Sequence, residues 1–169
     1  MIHTQTYHSP CGDLLLGSFK GKLCLCDWTV EPHRQLVDHR LKRILNASFE
    51  DAPSEITRRA AEELDEYFAG KRKAFDLPLL FVGTDFQKSV WDALLDVPFG
   101  ATQSYAWLAE KIGNPKAVRA VGMANGANSI SIFAPCHRII GSNRSLTGYG
   151  GGLETKRFLL DLESNSLPL

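Results

Sequence analysis

The feature that most constrains this chain is a change of apolar period along its length. In residues 1–30 the apolar runs are short and punctuated by glycine. Leu14-Leu15-Leu16 lies between Gly12 and Gly17, and Leu23-Cys24-Leu25-Cys26-Asp27-Trp28 follows Gly21-Lys22, a good turn. Such runs fit the strands of an antiparallel meander. Residues 33–45 read as helical. Ile56, Ala60, Leu64 and Phe68 then recur every four residues, with Ser54 as N-cap and Gly70 as the stop of an amphipathic helix. The stretch from Lys71 to Gly83 contains Pro78 and reads as a linker.

Beyond the linker the period stays helical. Phe86, Val90, Ala93 and Leu94 share one face of a helix that begins near Thr84-Asp85, and Pro98-Phe99-Gly100 forms a turn. Tyr105, Leu108, Ala109 and Ile112 give a second face, stopped at Gly113. Asn114-Pro115 restarts a helix, Asn114 as cap and Pro115 in its first turn. Ala117, Ala120, Val121 and Ala124 form its expected inner face. Two helices joined by a short glycine-containing turn make a helix-turn-helix pattern, which an ordinary helical hairpin also fits. Lys116 and Arg119 project from the second helix, where a recognition helix carries DNA contacts. Ser129-Ile130-Ser131-Ile132 alternates as a half-buried strand does and leads to Pro135-Cys136-His137-Arg138. A glycine-rich loop, Gly148-Tyr149-Gly150-Gly151-Gly152, precedes a last helix from Leu153 that carries Phe158, Leu159 and Leu162.

Composition narrows the class. Apolar residues make up 44 % and charged residues 22 %, which suits a globular protein and argues against disorder. The formal net charge is zero, so only its distribution informs. No acid lies between Lys111 and Arg144, whereas Lys111, Lys116, Arg119, Arg138 and Arg144 are positive. That is a local footprint for a polyanion, and a solvated basic face fits it too. No apolar run approaches the ~18 residues of a membrane span. Met1-Ile2-His3-Thr4-Gln5 does not begin a signal peptide, so a cytoplasmic protein without membrane contact is expected. Disulfides among Cys11, Cys24, Cys26 and Cys136 are then not expected. Cys24 and Cys26 are spaced more tightly than usual zinc ligands. Together with His8 and Cys11 they could form a metal site, but small apolar strand residues are the favoured reading, and no metal is expected.

Cys136 is the candidate nucleophile. A cysteine reacts as thiolate, and at a pKa near ~8.5 only a few per cent is ionised at neutral pH. His137 stands beside it, and Glu163 is the candidate acid to orient a base. From these residues alone a cysteine hydrolase and a buried structural cysteine both stand.

Pro135-Cys136-His137-Arg138-Ile139-Ile140-Gly141 resembles the active-site signature of the O6-alkylguanine-DNA alkyltransferases. The likeness includes Gly83-Thr84-Asp85-Phe86-Gln87, Val90-Trp91, Pro98-Phe99-Gly100, Ser104-Tyr105 and the run from Gly113 to Gly122. It continues through Asn128, Leu146-Thr147-Gly148-Tyr149, Gly151-Gly152-Leu153 and Lys156, in family order over residues 83–163. Residues 1–80 match loosely, mainly through Ser9-Pro10 and Gly12.

The resemblance implies an α+β protein. Residues 1–80 would be an N-terminal ribonuclease-H-like α/β domain. Residues 81–169 would be a mostly α C-terminal domain whose helix-turn-helix enters the minor groove of double-stranded DNA. A monomer would rotate the alkylated guanine out of the stack and take its O6-alkyl group, or one from O4 of thymine, irreversibly onto Cys136. No cofactor is implied, because the base is the donor. His137 would accept the thiol proton through a water, with Glu163 orienting the imidazole and Tyr105 donating to guanine N3. Arg119 would fill the gap in the duplex, from a DNA-binding helix that also offers Asn114, Lys116, Ala117 and Ala120. Asn128 would tie the hinge, the backbone at Cys136 and Ile139 would read the guanine edge, and Tyr149-Gly150 would close over the base. Arg138 is expected in a structural ion pair. The chain departs from the family at Ser129, usually Pro, which is expected to loosen the hinge turn. It departs also at Ala134, usually larger, at Gly150, often Ser or Ala, and at Leu162, commonly His.

Overall fold

The computed structural model describes residues 1–141 and 148–165. Arg144, Leu146 and Thr147 of the sequence reading lie outside the described residues.

The glycine-punctuated runs form a sheet. β1 (Ile2–Ser9), β2 (Gly12–Phe19) and β3 (Lys22–Trp28) pair antiparallel in sequence order. The β2–β3 turn is Lys20-Gly21 rather than Gly21-Lys22. Both residues have positive φ, 51° and 79°, as a two-residue turn matched to strand twist requires. A short β4 (Phe49–Asp51), unforeseen from the sequence, joins β1 in parallel and gives the order β3-β2-β1-β4. The β2–β3 register shifts at Gly17/Ser18, so β3 carries one extra residue. That bulge turns Cys24 and Leu25 to one face and Leu23 and Cys26 to the other, in separate core clusters. Among the described residues, no group of three or more metal-ligating side chains is gathered.

A helix covers each face. α1 (His33–Leu45) packs Val37 and Leu41 against Ile2, Cys24 and Leu25. α2 (Glu55–Phe68) packs Ile56, Ala60, Leu64 and Tyr67 against Leu14, Leu16, Leu23 and Trp28. Ser54 caps α2 in a reciprocal capping box with Thr57, and Gly70 follows its end at φ 76°. The stretch read as a linker is pinned along β3. Leu23 N–H donates to Pro78 O at 2.9 Å, Leu80 N–H donates to Leu23 O at 2.8 Å, and Leu77 and Val82 are buried.

The rest is mainly helical. α3 (Asp85–Leu94) starts where its sequence indicates, and the structure adds a capping box of Thr84 with Gln87. α4 (Tyr105–Lys111) is capped by Ser104 and followed by Gly113 at φ 79°. α5 (Val118–Gly126) begins later than expected. Asn114 to Ala117 instead form a turn closed by Ala117 N–H on Asn114 O at 3.0 Å, so Asn114 is not the cap. The later start rotates the inner face to Val121, Ala124 and Asn125, and leaves Ala120 exposed. α3, α4 and α5 enclose a second core around Val90, Trp91, Leu94, Leu108 and Val121. The expected strand at residues 129–132 is also not found. Ile130 makes a single bridge to Cys26, and the chain then turns through Ile132 at φ 72°. A two-residue β5 (Gln103–Ser104) pairs with β6 (Ile139–Ile140), and α6 (Leu153–Asn165) closes the structure. The class is α+β.

The two halves share one core: Ile130, Phe133 and Leu159 pack with the α2 face of the sheet. Arg40 of α1 adds a polar tie, donating to Val82 O at 3.1 Å and to Ala127 O, at the end of α5, at 2.7 Å.

Candidate active site

Cys136 is placed by the edge of β3. Cys26 N–H donates to Ser129 O at 2.8 Å, and Ser131 N–H donates to Cys26 O at 2.7 Å. These bonds cover an edge that would otherwise be open and lay the segment before Cys136 along it. Asn128 shapes that segment from within. Its Oδ1 accepts from Ile130 N–H at 3.1 Å, and its Nδ2 donates to Ile130 O at 3.3 Å and Ala134 O at 2.9 Å. Ser129, expected to loosen the turn, anchors it through a hydroxyl bond to Cys24 O at 3.2 Å. Phe133, beside the small Ala134, packs tilted against Phe75 with ring centroids 4.5 Å apart. Both serines are satisfied by tertiary bonds, so the polar half of the alternation faces protein rather than solvent.

Pro135 then leads into a single 3-10 turn, Cys136–Arg138, and all three of its side chains are buried. Cys136 is 4 % exposed and His137 is fully buried. His137 Nε2 meets Glu163 Oε2 of α6 at 2.6 Å. Arg138 clasps the same carboxylate, Nε on Oε1 at 2.8 Å and Nη2 on Oε2 at 3.0 Å, and donates to Val97 O at 2.8 Å. The expected ion pair is therefore present, on the residue that also meets the histidine. Burial works to raise the Glu163 carboxyl, but His137 and Arg138 outweigh it and hold it at about 2. Burial lowers His137 below its usual value, so the imidazole is neutral at pH 7. With Nε2–H given to the ionised Glu163, the lone pair lies on Nδ1, a buried atom with no partner among the described residues.

The thiol sits in the opposite regime. Burial pushes Cys136 up to about 11, against the Asn128 side chain, the Lys156 charge and the Ser131 hydroxyl. It is a protonated thiol at neutral pH and needs a base to react. Asn125 Nδ2 donates to Cys136 O at 3.3 Å, and Lys156 Nζ donates to Ile139 O at 2.6 Å. Cys136 O also accepts from the Ile139 backbone N–H, which closes the 3-10 turn.

The glycine loop packs against Trp28 and His33 of the N-terminal half. Trp28 Nε1 donates to the Tyr149 hydroxyl at 2.9 Å. A Cβ at Gly150 would fall 2.9 Å from His33 Nε2, and one at Gly151 2.8 Å from the Trp28 ring, so this close approach demands glycine at both. Gly150, a departure from the family, is thus matched by His33. Leu162, another, packs half-buried against the shared core.

Tyr105 and Arg119 lie on one cleft of about 500 Å3, which Ala106, Val118, Gly122 and Gly141 also line. Arg119, Lys116, Asn114 and Ala120 are exposed, and Ala117 is half-buried. Cys136 does not line the cleft. A larger groove of about 740 Å3 lies on the Phe75, Phe99 and Arg138 side and includes neither Cys136 nor Arg119. The basic footprint is smaller than its sequence count. Arg138 is buried and paired, and Lys111 meets Asp96 at 3.3 Å. Sequence reasoning missed Tyr67, Asn125, Ser131 and Trp28, because each acts through a partner distant in the chain or through backbone.

The chain matches known proteins over nearly its whole length. Residues 2–81 match the family described as 6-O-methylguanine DNA methyltransferase, ribonuclease-like domain, and residues 85–165 match the DNA binding domain of the same name. A methylated-DNA–protein-cysteine methyltransferase of Mycobacterium tuberculosis is 44 % identical over 99 % of this chain and 96 % of its own. A constitutive one from Bacillus subtilis is 42 % identical over 96 % of each. The crystal structure of Mycobacterium tuberculosis OGT in complex with DNA superposes with a TM-score of 0.85 at 42 % identity, covering 98 % of this chain and 95 % of the other. By sequence over nearly its whole length and by fold, this chain belongs to the 6-O-methylguanine DNA methyltransferase family.

Proposed function

We propose that this chain repairs DNA by direct reversal, moving a methyl or larger alkyl group from O6 of guanine onto Cys136 Sγ, once per molecule. The observation that carries this reading is the buried Glu163–His137 pair beside Cys136, with His137 Nδ1 unpartnered among the described residues and the thiol held protonated. In the reaction the thiol proton passes through a water to His137 Nδ1, and Glu163 stabilises the imidazolium. The thiolate attacks the alkyl carbon, the S–C bond forms, and the C–O6 bond breaks with its electron pair on the purine. Tyr105 donates its hydroxyl to guanine N3 as that charge develops, and the purine recovers a proton to become guanine. An unactivated thioether offers water only a poor thiolate leaving group, so the protein is consumed. The alkylated base is itself the donor, and no cofactor takes part.

The target lies inside the base stack and must be rotated out, at a few kcal/mol. We assign that work to α4 and α5, read as a helix-turn-helix in the minor groove, with Arg119 in the gap left by the base. The shared cleft of Tyr105 and Arg119 supports this, as does the relative whose structure includes DNA. Asn114, Lys116, Ala117 and Ala120 would flank the backbone, and Tyr149-Gly150 would close over the base against Cys136 and Ile139. Residues 1–80, read as ribonuclease-H-like, and 81–169 are taken as two domains, in keeping with family matches that meet between residues 81 and 85. No described helix is long and apolar enough to cross a membrane. The reading includes a monomer in the cytoplasm, where the four free cysteines would stay reduced.

Titration tests it. A duplex with one O6-methylguanine should be restored to guanine by one equivalent of protein, with repair stopping when the protein is spent. Continued repair at tenfold excess DNA would refute the single-use reading.

A further inference from the structure

We infer that Tyr67, from α2 in the other half of the chain, is a positioning residue for transfer to Cys136. This rests on the reading of Cys136 as acceptor and His137 as its base.

Tyr67 is 1 % exposed on the packed face of α2, and a buried tyrosine hydroxyl needs a partner. Its partner is Glu163 Oε2, 96 residues away in the chain, at 2.7 Å. The same oxygen meets His137 Nε2 at 2.6 Å and Arg138 Nη2 at 3.0 Å, and Arg138 Nε holds Oε1 at 2.8 Å. Oε2 thus has three donors. Tyr67 fixes where that oxygen sits and limits how strongly it draws on the imidazole, because a carboxylate oxygen shared among donors is a weaker acceptor for each. The ring is held by Phe68 at 5.1 Å, Phe75 at 5.7 Å and Phe99 at 6.3 Å, with Arg138 over the Phe99 ring at 5.8 Å. The hydroxyl is therefore aimed by a rigid aromatic cluster. The other titratable groups that bear on this cluster are Arg138 of the 3-10 turn, Lys156 of α6 and Tyr149 of the glycine loop.

Tyr67→Phe removes the hydroxyl and keeps the ring. Oε2 then acts more strongly on His137, and the carboxyl itself protonates more easily. Both effects raise the pH at which the pair takes up a proton. The acid limb of the transfer rate should move up by about 0.5–1 pH unit. The rate at neutral pH should fall about three- to tenfold, equally on duplex and on free O6-alkylguanine base. Ile56→Val thins the same buried face of α2 about 16 Å along the helix from Tyr67, so it should lower Tm and leave the acid limb in place. The inference is overturned if Tyr67→Phe keeps the wild-type rate and pH profile, or if Ile56→Val moves the limb equally. Wild-type protein that puts no alkyl group on Cys136 would overturn the underlying reading as well, which separates the two failures.

Discussion

Residues 128–139 and the helix α5 (Val118–Gly126) are neighbours in sequence and opposites in construction. Every residue from 128 to 139 is buried, and its backbone is tied to β3, Asn128, Asn125 and Lys156. α5 has a thin inner face of Val121, Ala124 and Asn125, and offers Val118, Arg119, Ala120 and Met123 to solvent, Met123 at 75 %. A reacting atom must be held within fractions of an ångström, which needs packing and satisfied hydrogen bonds on all sides. A surface that meets a long polyanion needs reach and charge, and long side chains in water provide both. Changes in the first segment should therefore alter chemistry on any substrate, and changes on α5 should alter only what depends on the duplex.

Cys136→Ser is the largest break. It should abolish transfer while keeping affinity for lesion-bearing duplex, measured by titration of a labelled oligonucleotide; residual transfer would mean that another residue is the acceptor. Arg119→Ala should slow duplex repair by about 30- to 150-fold, the equivalent of ~2–3 kcal/mol of flipping cost, and leave the free-base reaction within about twofold. Equal losses on both substrates would remove α5 from the flipping role. Asn128→Ala strips three hydrogen bonds from a buried turn. It should cost about 2–4 kcal/mol in urea unfolding and slow both substrates alike.

Titration sharpens the contrast on the stability side. Glu163 is held at about 2 in the fold, so its stabilisation is present above about 4.5 and is lost as pH falls towards 2. Glu63 on α2 runs the other way. Burial and a hydrogen bond with Asp76 raise it to about 7, so its contribution is present below 4.5 and lost as pH rises through 7. Glu163→Gln should flatten the acidic part of a pH–Tm profile, and Glu63→Gln the part between pH 4.5 and 7. The smallest effect belongs to Lys116→Ala, which should reduce the slope of log affinity against log salt by about 1. An unchanged slope would take Lys116 off the phosphate backbone.

What the sequence disclosed was local. The periods of α2 and α3, with Ser54 and Thr84 at their starts, are written within a few residues. The cysteine, its histidine and the acid were legible because their motif is contiguous or in family order. β4, β5 and β6 were not, since two- and three-residue strands carry no period. The strand expected at residues 129–132 failed because the chain makes one bridge to β3 at Ile130 and then turns through Ile132 at φ 72°, which alternation cannot reveal. Asn114-Pro115 carries a helix-start signature, yet its residues close a turn first. Tyr67 looks like one more apolar residue on α2 until Glu163 is brought beside it.

The central claim is chemical and has a direct measurement: intact-protein mass, followed by peptide mapping, after mixing with a duplex that carries one O6-methylguanine. The account predicts one added methyl on the peptide containing Cys136, equimolar with the guanine restored and not lost with time. An unchanged protein mass with the lesion gone would mean true turnover, and an unchanged mass with the lesion intact would mean binding without transfer; either result would contradict it.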